Sequence, residues 1–136
     1  MKYLCLGYHD EKVWESMCDD ERNALLRDTF AYREQLRQNG HCLDDKALQG
    51  PAAAATLRFE TGGKLSVTDG PFAETKEQLG GFMLIEARDL NEAIQLMSQM
   101  ACMRMGGSIE IRPVNEEFCR QPSLESALTA GATRRV

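Results

Sequence analysis

The hydrophobic positions of the chain switch between two periods. Residues 2–8 alternate Leu4, Leu6 and Tyr8 with Tyr3, Cys5 and Gly7, so both faces are mostly apolar, and the spacing predicts a first strand buried on both sides. Residues 9–18 mix charge with Val13, Trp14 and Met17, which suits a loop or short helical turn with Trp14 as a core anchor. From Asp19 or Asp20 the period becomes 3.6. Leu25, Leu26, Thr29, Phe30, Tyr32 and Leu36 form the stripe of an Asp-capped helix, and Asn39-Gly40 supplies its stop. A short strand follows around residues 41–48, closed by Gln49-Gly50-Pro51. Two alternating runs, 56–60 and 64–68, flank Thr61-Gly62-Gly63 and predict a hairpin. Residues 81–87 are again apolar on both faces. Asp89 and Glu92 resemble a capping box ahead of a helix carrying Leu90, Ala93, Ile94, Met97, Met100 and Ala101, which Gly106-Gly107 ends. Residues 108–114 form a last strand, with Pro113 at a ladder end or edge.

This order of elements is a split βαβ pattern: an α+β, ferredoxin-like fold with a hairpin insertion, its two helices on one face of an antiparallel sheet. The domain spans residues 1–114, and 115–136 form a tail with a helical turn at 123–128 and a mobile end. Because the doubly apolar strands would leave the second sheet face exposed, a second copy of the chain is expected to cover it. In the last strand, Ile109 and Ile111 face the helices, so Glu110 and Arg112 project from the opposite face. There they form a structural ion pair or line a polar cavity.

Composition narrows the partners. The 136 residues make one domain that buries about two thirds of its unfolded surface. A net charge of −5 disfavours nucleic acid and anionic membrane surfaces. Nothing near the N-terminus reads as a signal peptide and no run reads as a membrane span, while five cysteines without a C-x-x-C pair suit reduced thiols in a cytoplasmic protein. Neither a phosphate-binding loop nor a dinucleotide fingerprint is present, so no cofactor is expected. His41-Cys42 with Asp44 and Asp45 lacks paired metal-ligand spacing, so no metal is expected either.

The charged loop Thr68-Asp69-Gly70-Pro71-Phe72-Ala73-Glu74-Thr75-Lys76-Glu77-Gln78-Leu79-Gly80-Gly81 holds the candidate chemistry. Gly70 can take positive φ and Pro71 fixes the next φ, so the loop begins with a rigid turn. Asp69 is a general base at a cleft mouth or an Asx-turn residue; Glu74, Lys76 and Glu77 make ion pairs, with one another or with Arg112, or form a solvated short helix. His9, beside Asp10, and His41, near Asp44 and Asp45, are acid–base candidates if a carboxylate orients them, and otherwise ordinary surface histidines.

Three segments carry a resemblance: Met1-Lys2-Tyr3-Leu4, residues 69–81, and Ile109-Glu110-Ile111-Arg112-Pro113-Val114. On these the chain resembles the YCII-related family, in the branch marked by its Asp-Gly-Pro-Phe segment. The resemblance implies a bacterial, dimeric α+β barrel built on the ferredoxin-like fold, without a settled activity for this branch. Related members carry a histidine and an aspartate in a cleft. Many relatives place a His-Pro pair near the end of the second helix, where this chain has Met100-Ala101. Genes of the branch often stand beside extracytoplasmic-function sigma factors, which implies an accessory role.

Two functional expectations follow. In the first, a dimeric, enzyme-like protein binds a small polar or aromatic metabolite between the sheet and the loop. Asp69 moves a proton, Arg112 holds an anionic group, and Gly70, Pro71, Phe72, Glu74, Lys76 and Glu110 line the site. In the second, a non-catalytic module acts through protein contacts, for example on a sigma factor.

Overall fold

The computed structural model describes residues 1–120. The elements run β1 (Lys2–His9), α1 (Glu11–Ser16), α2 (Asp19–Gln38), β2 (Cys42–Ala47), β3 (Ala55–Phe59), β4 (Leu65–Asp69), β5 (Gln78–Glu86), α3 (Leu90–Met97), β6 (Ser108–Pro113) and α4 (Glu116–Cys119). The tail features expected at 123–136 lie outside the described residues.

Four strands form one sheet in the order β2-β5-β1-β6, every neighbouring pair antiparallel. Tyr3, Cys5, Met83, Ile85 and Cys42 project from one face into a core with Leu36 of α2 and Ala93 and Met97 of α3. Both long helices therefore cover the same face, an α+β arrangement compatible with the ferredoxin-like split βαβ fold. Ile109 and Ile111 pack against this core, as their alternation requires. Tyr32 Oη donates to the carbonyl of Leu96 at 2.6 Å and ties the two helices together. On the other face Leu4 pairs with Leu84 and Arg112, and Leu6 with Phe82 and Glu110. A two-strand apolar strip is thus flanked by charge.

Local chemistry explains the helix ends. Gly40 at φ 79° lets its amide reach the carbonyl of Arg37 while His41 N donates to Leu36 O, the paired bonds of a Schellman stop. At the N-terminus Cys18, not Asp19 or Asp20, is the capping residue, and it makes no side-chain cap bond. Asp19, Asp20 and Glu21 instead occupy the first turn, where they favour the positive end of the helix dipole. The expected capping at α3 is present: Asp89 Oδ1 accepts from Glu92 N, and Glu92 Oε1 reaches back to Arg88 N, both at 2.9 Å. That helix stops at Met97, short of the periodic Met100 and Ala101. Met100 is extended, and a 3-10 stretch, Ala101–Met105, closes at left-handed Gly106.

One further expectation is corrected. Trp14 is not in the core; it is half-buried on α1, with the Arg22 guanidinium 6.0 Å from its ring centre. Of the two acids after His41, Asp45 has a packing role: it is only 8% exposed and ion-pairs with Arg33 and, at 2.9 Å, with Arg37. This charge cluster fastens the edge strand β2 to α2.

The hairpin β3–β4 forms a separate two-stranded ribbon. Its register sets Leu57 opposite Val67 and Phe59 opposite Leu65. These four side chains share one face and are 50–79% exposed.

Candidate functional site

The strongest concentration of chemistry lies where β1 runs into α1. Asp10 caps that helix, its carboxylate accepting from Lys12 N at 3.0 Å, and so turns Glu11 and Lys12 toward the loop that leaves the ribbon. Across from them, Gly70 at φ 106° donates its amide to Ala54 O at 2.7 Å, and its carbonyl accepts from Thr56 Oγ1 at 2.9 Å. Only glycine adopts such a φ without strain. The rest of the loop is pinned from within: Gln78 Nε2 donates to the carbonyls of Ala73 and Thr75, and Thr75 Oγ1 to the carbonyl of Glu77.

Between these walls lies a cleft of about 680 Å³, broadly open to solvent. Asp69, Gly70, Pro71, Glu74, Thr75, Lys76 and Gln78 line one side, and Asp10, Glu11, Lys12, Pro51 and Ala52 the other. A smaller, more enclosed pocket of about 180 Å³ adjoins it, sharing Glu11, Pro51 and Gln78 and adding His9, Trp14, Glu15, Leu48, Leu79 and Gly80. The two spaces form one depression, with Asp69 toward one end and His9 toward the other.

Among the described residues, the side chains of Asp69, Glu74, Glu11, Lys12 and Lys76 make no ion pair or hydrogen bond. Asp69 does not form the Asx turn that its position before Gly70 allows, and Glu74, Lys76 and Glu77 lie in no helix. Glu77 is engaged elsewhere, its Oε1 accepting from Ser108 Oγ at 3.1 Å. Five uncommitted charged groups, carboxylates and ammoniums intermixed, are thus presented to whatever enters. Such a surface can bind and orient a small polar molecule, and His9 adds the side-chain type best suited to passing a proton in either direction.

Other candidates lie apart from the cleft. Arg112 and Glu110 line neither space; Arg112 Nε stands 3.6 Å from Glu110 Oε2 on the uncovered sheet face, and Tyr8 Oη reaches Glu110 Oε1 at 3.5 Å. The two side chains thus face each other within one strand, as the structural-pair reading expects. His41 sits at the far end of the sheet, its Nδ1 2.9 Å from the carbonyl of Glu86. Strand spacing puts that end about 23 Å from His9. Phe72 is 75% exposed and stacks on Arg58 at 5.2 Å, outside the cleft lining.

Electrostatics separate reactive from inert groups. Burial raises the Cys5 thiol to about 11, and burial also raises Cys42 and Cys102, so these thiols pack rather than react. Glu86 is held below the usual carboxylate range by a hydrogen bond from the N-terminal ammonium, and Asp44 by one from Lys46. Among the described residues no group of His, Cys, Asp and Glu is arranged to hold a metal, and no helix is long and apolar enough to cross a membrane.

Sequence reasoning missed the opposing wall. Residues 9–18 read as a loop or short helical turn without a role for Glu11 and Lys12, although an Asp before a short charged run is a helix-capping signal that points to them. Comparison with known proteins places these features in a family. An uncharacterised protein of Rhizobium meliloti (strain 1021) is 38% identical over 115 residues, covering 84% of this chain and 92% of that relative. The model of the YCII-related domain matches residues 1–117, a span containing the whole sheet, both covering helices and both walls of the cleft, and the chain belongs to the YCII-related family.

Proposed function

We propose that the protein binds a small polar or aromatic metabolite in the cleft between α1 and the Asp69–Gln78 loop, and that it works as an enzyme-like cytoplasmic homodimer of the Asp-Gly-Pro-Phe branch. The observation that carries this reading is the convergence of Asp69, Gly70, Pro71, Glu74 and Lys76 on one depression with Glu11 and Lys12, their charged side chains unpartnered. Asp69 and His9, toward its two ends, are the proton-moving candidates. Arg112, paired with Glu110, leaves the anion-holding role to Lys12 and Lys76. Dimerisation is inferred from the apolar strip of Leu4, Leu6, Phe82 and Leu84, on the face opposite α2 and α3. A second copy on that strip completes a barrel of the kind the family resemblance implies.

A thermal-shift screen of a metabolite library tests the binding claim. Ligand at a hundred times its Kd stabilises the native state by about 2.7 kcal/mol, a readily measured rise in melting temperature. Stabilisation that is lost in Asp69→Asn or Lys76→Met supports the reading; hits indifferent to both substitutions overturn it. Light scattering showing a monomer at micromolar concentration overturns the dimer.

One observation favours the non-catalytic reading. The ribbon face of Leu57, Phe59, Leu65 and Val67 is an exposed apolar patch on an element that packs little against the rest of the domain, as expected of a surface that meets another protein. In that reading the ribbon docks on a partner such as a sigma factor. Leu57→Ser with Val67→Ser would abolish recovery of the partner from the native host while leaving metabolite binding intact.

A further inference from the structure

The smaller pocket differs in character from the open cleft beside it. Trp14, Leu48 and Leu79 give it apolar walls, and Gly50 and Gly80 contribute bare backbone. A Cβ on Gly50 would lie 2.5 Å from Glu11 Oε1, and one on Gly80 would lie 2.5 Å from His9 Nδ1. The absent side chains are therefore what admits the carboxylate and the imidazole. Among the described residues its charged lining is Glu11 and Glu15; no lysine or arginine of theirs lines it, and neither glutamate has a partner among them. Arg22, whose guanidinium lies 6.0 Å from the indole centre, donates to Asp19 Oδ1 at 2.9 Å. A volume of about 180 Å³ holds roughly six waters at ~30 Å³ each, enough for one ring or a short alkyl chain with its head group.

We propose that this pocket takes the protonated amine end of a ligand with an aromatic or apolar body. The ammonium lies between Glu11 and Glu15, and the body lies against Trp14, Leu48 and Leu79. An ammonium carries three donors and needs acceptors when it leaves water, which the two carboxylates supply; the indole adds a cation–π face. Longer, polar parts of the ligand extend past Glu11 into the cleft of Asp69 and Lys76. The inference rests on the proposal that the depression binds a metabolite, and it names the chemical class.

Trp14 is the chain's one tryptophan, so its emission reports this pocket without background. The test titrates the full-length protein with benzylamine, benzyl alcohol and benzoate at constant ionic strength. Benzylamine should change Trp14 emission saturably, and the alcohol and the carboxylate should bind at least tenfold more weakly. Glu15→Gln, with its melting curve as the folding control, should weaken benzylamine about threefold to tenfold and leave the alcohol unchanged. The proposal is overturned if benzylamine produces no saturable change, if benzoate or the alcohol binds as tightly, or if both Glu11→Gln and Glu15→Gln leave the benzylamine affinity intact. A library hit that raises the melting temperature, depends on Asp69 and leaves Trp14 emission unmoved would overturn this inference while sparing the cleft itself.

Discussion

Two adjacent glycines separate the site from the scaffold, and replacing each by alanine gives a paired prediction. At Gly80 the new methyl meets the ring of His9, the far end of a side chain that can swing aside. A rotamer change costs about 0.5–1.5 kcal/mol, while the stiffer unfolded chain returns about 0.4–1 kcal/mol, so Gly80→Ala should alter stability by less than about 1 kcal/mol. At Gly81 the methyl lies 2.7 Å from Lys46 O and 3.4 Å from Ala47 Cα, both backbone atoms of the neighbouring strand. β2 and β5 must then separate, an overpacking cost of about 1–3 kcal/mol that the same entropic gain leaves at about 1–2 kcal/mol. For a domain of this size that loss is a fall in melting temperature of about 3–8 °C. Urea unfolding of the three proteins measures the contrast, and NMR of the imidazole protons reports whether His9 has left its pocket in Gly80→Ala. Equal losses for the two variants, or a larger loss for Gly80→Ala, would refute the account of how the glycines position the site.

The remaining expectations concern the scaffold and its charges. Asp45→Ala leaves Arg33 and Arg37 without their buried partner; breaking a buried pair costs about 3–5 kcal/mol, and because the arginines are 28% and 54% exposed and rehydrate, we expect about 1.5–3 kcal/mol by urea unfolding. A loss under about 0.5 kcal/mol would remove the cluster's structural role. Glu86 and Asp44 titrate below their ordinary values of 4.5 and 3.8, so each contributes stability that is present above those values and fades as pH falls through the lower folded ones. Glu86→Gln with Asp44→Asn should therefore flatten the acid limb of the stability curve below about pH 4.5. With its thiol raised to about 11, Cys5 should react with a disulfide reagent at pH 8 far more slowly than exposed Cys18 and Cys119, and equal rates would contradict its burial.

Much of the scaffold was legible because its periods are clean. Strands around Leu4 and Leu84 and the helix through Leu25 and Leu36 follow from alternation and 3.6 spacing, and Asn39-Gly40 announces its own stop. The hairpin follows from Thr61-Gly62-Gly63. Less legible were features set by tertiary contact. The Met97-Ser98 end of α3 interrupts a pattern that continues to Ala101, and Trp14 looks like a core anchor until the site places its indole on a pocket wall. Asp45 reads as a carboxylate that could orient His41, and only the packing of α2 on β2 supplies its arginines. Within the site, the loop half was visible from Asp69-Gly70-Pro71, whereas the half built by Glu11 and Lys12 depends on which direction a short capped helix turns. Arg112 shows the limit of alternation: it fixes the face of the sheet correctly but says nothing of the distance to the loop.

The cleft itself is tested most directly by mapping a bound hit from the metabolite screen onto an assigned amide NMR spectrum. The account predicts shifts confined to residues 9–15, 48–52 and 69–80, with 57–67 and 109–113 unmoved. Shifts centred on the ribbon face of Leu57 and Val67, or on Glu110 and Arg112, would contradict it.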